Sequence, residues 1–164
     1  MVQDTAKKIQ RLFVAVEFPS AVRMTLAKRQ KEIPCMLWTP PGNLHLTLRL
    51  IGEVSQTVTT AVIAGHKIVR AKPFSLQIQG FGLFDRTPQA ILWAGLSPSP
   101  ELSGLKQQVD SALTQCAGLR NGTGFFTPHV TLGRMKTADL KLLQAFISKA
   151  NEDNSPAFTV QSFT

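Results

Sequence analysis

A chain of 164 residues, 43% of them apolar, can bury a real core in one domain or two intimate lobes, which excludes a disordered tail. Eighteen Lys and Arg against ten Asp and Glu give a net charge of +8 and a pI near 10, a balance that favours a polyanionic partner such as nucleic acid or a phosphorylated small molecule. Two cysteines, Cys35 and Cys116, are too few for a disulfide framework, the opening MVQDTAKKIQ lacks an apolar leader and no run is long enough to cross a bilayer, so the expectation is an unprocessed, soluble, cytoplasmic protein.

The compact apolar run Leu12 to Phe18 predicts a strand, and Pro19-Ser20 after it can open a helix over Ala21 to Glu32. Pro40-Pro41-Gly42-Asn43 is a turn. Leu44 to Ile51 then alternates strictly, with Leu44, Leu46, Leu48 and Leu50 expected on one face and His45, Thr47 and Arg49 on the other. From Ser55 to Ala71, Val58, Val62 and Val69 recur at helical spacing, although Gly65 and the β-branched residues make a poor helix by propensity alone. Phe74 to Phe81 alternates as a strand, and a loop from Asp85 to Pro88 separates the halves.

The second half repeats this order. Ala90 to Leu96 predicts a strand, and Pro98 to Pro100 opens a helix with the stripe Leu102, Leu105, Val109, Leu113 and Cys116. Gly118 to Gly124 is loop, Val130 and Leu132 mark a strand, Thr137 to Lys149 is a helix with Leu140, Leu143 and Ile147 inward, and Phe158 to Phe163 is a last strand.

One phrase occurs in both halves: His45-Leu46-Thr47-Leu48 and His129-Val130-Thr131-Leu132, which use two of the three histidines. Phe74 follows His45 by 29 positions, as Phe158 follows His129, and the two phenylalanines begin FSLQ and FTVQ. Each half is therefore βαβαβ. Two such copies point to an internal duplication with a pseudo-twofold axis, and not to a solenoid of shorter, more numerous repeats.

A strand with Leu on one side and His, Thr and Arg on the other packs the Leu side under helices and turns the polar side to a cleft, because burying that row without partners costs about 1 to 3 kcal/mol per group. Two histidines in one groove suit phosphodiester hydrolysis: a neutral imidazole takes a proton from water while a cationic one protonates the leaving alkoxide. A threonine two residues on shares its histidine's face and can donate to a phosphoryl oxygen, and arginine offers a planar fork for phosphate.

The paired H-x-T-L phrases, the lead-in PPGNLHLTL, the approach Phe125-Phe126-Thr127-Pro128-His129 and the phrase ILWAG (Ile91 to Gly95) together resemble the 2H phosphoesterases. Within them, the chain from Arg11 onward is similar to the bacterial and archaeal RNA 2′,3′-cyclic phosphodiesterases, formerly called 2′-5′ RNA ligases. The resemblance implies a bilobed α+β fold of duplicated βαβαβ units, with two antiparallel sheets facing a central cleft and helices outside. It implies one domain over residues 1–164, with pseudo-repeats at about 11–81 and 89–164. It also implies hydrolysis of an RNA or nucleotide 2′,3′-cyclic phosphate to a 2′-phosphomonoester; a monomer is expected, and the two-histidine chemistry calls for no metal or other cofactor. His45 would be the general acid to the 3′ oxygen and His129 the base for water, with Thr47 and Thr131 holding the phosphate.

Arg134 matches an arginine that follows the second motif in similar proteins, but strict alternation would turn it to the Leu face. A bulge near Gly133 is needed for it to reach the cleft. Similar proteins continue beyond the position of Thr164 with another strand, so either the sequence is shortened or one lobe lacks a strand and has an edge open to pairing.

Other readings stay in view. Arg49 on the His45 face is either a substrate contact or a solvated charge. Trp38, Trp93, Phe84 and Phe126 are core residues or base-stacking platforms. His66 is a packing residue beside a helical stripe, and the run Lys28 to Lys31 is a solvated helix face. Zinc would need a third protein ligand at suitable spacing, which neither motif supplies. The alternative functions are 2′-5′ RNA ligation and cleavage by the same pair, or a nucleotide- or RNA-binding module without turnover.

Overall fold

The computed structural model describes residues 9–30, 33–120, 124–151 and 155–164. The expected end of the first helix at Glu32, Lys31 of the basic run, residues 1–8 of the opening segment and 121–123 of the central loop lie outside the described residues.

In chain order the elements are β1 (Gln10–Glu17), α1 (Ser20–Arg29), β2 (Leu37–Trp38), a 3₁₀ turn (Pro41–Asn43), β3 (His45–Val54), α2 (Gln56–Ile68), β4 (Phe74–Leu76) and β5 (Ile78–Arg86). They continue with β6 (Gln89–Leu96), α3 (Pro100–Ala117), β7 (His129–Met135), α4 (Leu140–Ala150) and β8 (Phe158–Val160). The class is α+β with antiparallel pairing throughout.

The main sheet runs β1-β3-β7-β6-β5, with β2 also on β7, and β4 pairs with β8 in a second, two-stranded sheet. The strands of the two halves thus meet at a seam, where Leu46 stands opposite Val130. His129 lies 84 positions after His45 (129−45), and the same offset separates Leu46 from Val130 and Ser75 from its partner Thr159. Residues that pair with their own copy lie on the pseudo-twofold axis, so both sheets straddle it.

The core fills the side of the main sheet away from the motif histidines. Leu44, Leu46, Leu48, Val130 and Leu132 are buried there with Val14, Val16, Leu92 and Ala94 of the flanking strands, beneath Val62, Leu102, Leu105, Val109, Leu113, Leu143 and Phe146 of the helices. The helices do not stay with their own half. α1 follows β1, yet Gln30 at its C-terminal end donates to the Leu132 carbonyl of β7. α3 follows β6, yet it packs on α2 and reaches β3 through Asp110 and Arg49. Phe146 of α4 meets Phe81 edge-on, with centroids 6.1 Å apart.

Several expected boundaries move. The strand expected over 74–81 is split into β4 and β5, and β5 with β6 extends as a hairpin through most of the expected Asp85 to Pro88 loop. α4 turns Leu143, Phe146 and Ala150 inward, leaving Leu140 at its first position exposed. Cys116 is also exposed, at the far end of the α3 stripe. The last strand stops at Val160, after which Thr164 exchanges both backbone hydrogen bonds with Ala15 of β1, at 2.7 and 2.8 Å. No described helix is long and apolar enough to cross a membrane.

α2 forms despite its β-branched residues because tertiary contact overrides propensity. Gly65 brings it close to α3: a Cβ there would stand 3.1 Å from the Ala112 carbonyl oxygen and 3.4 Å from the Cys116 Cβ. Gly104 on α3 has open space at the same position. Urea denaturation should therefore show Gly65→Val losing about 1 to 3 kcal/mol of stability by overpacking, and Gly104→Ala gaining about 0.5 to 1 kcal/mol from helix propensity.

Candidate active site

A polar cleft of about 200 Å³ opens where the halves meet, lined by Thr39, Asn43, His45, Thr47, His129, Thr131 and Arg134. β3 supplies His45 and Thr47 and β7 supplies His129, Thr131 and Arg134, while Thr39 and Asn43 come from the segment before β3. Extending the Leu46–Val130 register by one residue each way sets His45 across from Thr131 and Thr47 across from His129. Antiparallel neighbours about 5 Å apart, with two residues spanning about 7 Å along a strand, place the histidine Cα atoms roughly 9 Å apart on the diagonal. That leaves room for a tetrahedral group between the imidazoles.

Both rings are held in the same way. His45 Nδ1 lies 2.6 Å from the Asn43 carbonyl, and His129 Nδ1 lies 2.7 Å from the Thr127 carbonyl. A carbonyl can only accept, so each Nδ1 carries the proton and each neutral ring keeps its lone pair at Nε2. The carbonyl two residues before each histidine thus sets one tautomer twice. Nε2 is left to give or take a proton in the cleft.

The ring neighbours differ. Phe13 stacks on His45 at 4.9 Å with an interplanar angle of 18°, whereas Phe84 at 4.9 Å and Trp93 at 6.2 Å meet His129 edge-on. Across the sheet, Glu17 pairs with His45 and Gly95 with His129. Phe84 and Trp93 therefore border the cleft, the Phe126 ring centroid lies 5.7 Å from Lys106 Nζ, and Trp38 on β2 pairs with Gly133 of β7. Phe13 could have been found in the sequence only by knowing the β1–β3 register.

Both motif strands are bulged at the same place. On β7, Leu92 pairs with Gly133 and Trp93 with Thr131, so Leu132 is the extra residue. On β3, Val14 pairs with Arg49 and Ala15 with Thr47, so Leu48 is the extra residue. The first bulge turns Arg134 into the cleft, as a bulge near Gly133 requires. The second corrects the strict alternation expected for β3. Leu50, expected with the buried leucines, is 60% exposed opposite Phe13. Arg49, expected on the His45 face, instead pairs with buried Val14 and turns to α3.

Arg49 is therefore engaged away from the cleft lining. Its Nη1 lies 3.5 Å from Asp110 Oδ1, its Nη2 donates to the Arg120 carbonyl, and Lys106 also binds Asp110. With both ion-pair side chains at least four-fifths buried, this contact ties β3 to α3. His66 lies on α2, where its Nε2 is 3.2 Å from the Phe163 carbonyl and its ring packs on Phe163.

The 2′-5′ RNA ligase superfamily model matches residues 36–164. An Aquifex aeolicus protein named RNA 2′,3′-cyclic phosphodiesterase is 27% identical over 149 residues, covering 87% of this chain and 79% of its own length. An Escherichia coli protein of the same name is 33% identical over 132 residues, covering 76% and 72%. Among solved structures, E. coli LigT complexed with 3′-AMP superposes with a TM-score of 0.76 at 25% identity, covering 96% of this chain and 87% of that one. These likenesses agree with the family resemblance that the paired motifs carry.

Trp93 owes its place beside His129 to Gly82, where a Cβ would fall 2.2 Å from the indole Cζ2. Gly82→Ala should expel the ring. The expected result is a shifted Trp emission spectrum together with a stability loss of about 1 to 3 kcal/mol in urea, and an unchanged spectrum would show that the indole does not depend on that space.

Proposed function

The chain belongs to the 2′-5′ RNA ligase superfamily, and on that premise we propose that it hydrolyses 2′,3′-cyclic phosphate ends of RNA to 2′-phosphomonoesters, with His45 and His129 as an acid and base pair that needs no metal. The observation that carries this reading is the matched pair of histidines in one cleft, each with Nδ1 held by the carbonyl two residues before it. The names of the relatives support the same reaction.

In the proposed step, His129 Nε2 takes a proton from water as the water oxygen attacks phosphorus. The P–O3′ bond breaks on the opposite side, and Nε2–H of cationic His45 protonates the leaving oxygen to give a free 3′-hydroxyl. The phosphate stays on O2′. Proton exchange with solvent returns both rings to their starting forms. Thr47 and Thr131 donate to the non-bridging oxygens, where negative charge grows in the transition state, and the Arg134 guanidinium holds the same group by a charge-assisted contact. Arg49 has no part in this step, because its guanidinium is held by Asp110 and the Arg120 carbonyl.

On an oligonucleotide with a 2′,3′-cyclic end, His45→Ala and His129→Ala should each lower kcat by about 10² to 10⁴-fold, and Thr47→Ala or Thr131→Ala by about 10²-fold. His66→Ala should turn over normally, EDTA should leave the rate unchanged, and end-group analysis should find a 2′-phosphate. A 3′-phosphate product, or loss of activity on chelation, would overturn the mechanism. Joining of 2′-5′ ends in place of hydrolysis would assign the same pair to ligation.

A further inference from the structure

Arg134 reaches the cleft because Leu132 is bulged, so whatever holds the bulge sets where the guanidinium stands. A bulge disrupts the ladder and leaves backbone groups to be satisfied from elsewhere. The Leu132 carbonyl accepts from two donors, the Thr39 amide at 2.8 Å and Gln30 Nε2 at 3.1 Å. The same Nε2 donates to the Thr39 carbonyl at 2.6 Å. Two acceptors on one end of the side chain identify that end as the nitrogen, since an amide oxygen there would face two other oxygens.

Among the described residues, the buried polar side chains are those of Gln30 and Thr59, at 6% and 5% exposure. Thr59 bonds back to its own helix, through the Ser55 carbonyl. Gln30 instead leaves the end of α1 and bonds to the segment before β3 and to β7, an element 102 positions away in the chain. The long amide therefore serves the bulge that carries Arg134.

We propose that Gln30 is a positioning residue: by clamping the Thr39 backbone to the bulge in β7, it fixes the two cleft-lining residues Thr39 and Arg134 against the phosphate. The proposal rests on the reading of Arg134 as a phosphate contact. Gln30 touches no substrate itself. Its effect passes through the Leu132 carbonyl to the backbone that aims Arg134 two residues later.

Gln30→Met keeps the length of the side chain and removes its donors, so it should be made in the natural chain and in an Arg134→Ala background. Calorimetry should read the Kd for inorganic phosphate, and kinetics the kcat and KM for the cyclic-ended oligonucleotide. In the natural background the phosphate Kd and KM should rise about tenfold with kcat much less affected, whereas with Arg134 absent Gln30→Met should change either by less than about twofold. An equal loss in both backgrounds, or none in either, would overturn the role. Should Gln30→Met not fold, NMR of the unsubstituted protein decides: the Gln30 side-chain amide protons should exchange slowly and shift on phosphate titration, and unmoved signals would refute the coupling. Phosphate binding that depends on Gln30 in a protein without hydrolytic activity would instead overturn the reaction and leave the positioning role standing.

Discussion

The cleft depends on the contact between two strands at Leu46 and Val130. Both side chains are fully buried, and each lies between a histidine and a threonine that must point the other way. Burying that pair is worth about 1.5 to 3 kcal/mol per side chain, and strand geometry converts the burial into placement. Wherever Leu46 and Val130 are driven into the core, His45, Thr47, His129 and Thr131 are presented together on the opposite face. The catalytic arrangement proposed here is the back of a hydrophobic contact.

Much of this was legible in the sequence because period-two alternation and a repeated phrase are both local signals. The duplication, the strands that carry the motifs and the convergence of the two histidines follow from His45-Leu46-Thr47-Leu48, its copy and the equal spacing to FSLQ and FTVQ. The register was not legible. A bulge has no composition of its own, and only the Arg134 copy gave a reason to suspect one, since an arginine among leucines is conspicuous. The Leu48 bulge was hidden because its displaced residues, Arg49 and Leu50, fit an uninterrupted alternating pattern equally well. Pairing across elements was out of reach for the same reason: Phe13 on His45, Gln30 on Leu132 and Asp110 on Arg49 join residues that no sequence period relates.

The two copies have kept their backbone and diverged in what it presents. The bulges at Leu48 and Leu132 send Leu50 and Arg134 to corresponding positions, one apolar beside Phe13 and the other cationic beside His129. Glu17 and Gly95 stand in matching places across from the two histidines. A symmetric frame therefore holds an asymmetric site. A cyclic phosphate has two ester oxygens of different surroundings, and a site with a charged and an apolar side can distinguish the orientations of such a group where a strictly twofold one could not.

The crossing of α1 and α3 has a consequence for the unit that was duplicated. α3 packs on α2 and β3 of the first half, and the end of α1 bonds to β7 of the second, so a lone copy leaves part of its core surface without cover. Between two identical units such contacts would be isologous, each copy giving and receiving the same ones. Such a unit closes its core only as a pair. In this chain the partner is supplied by covalent continuity, at a local concentration that no dilution lowers, and that tether is what frees the two halves to become different.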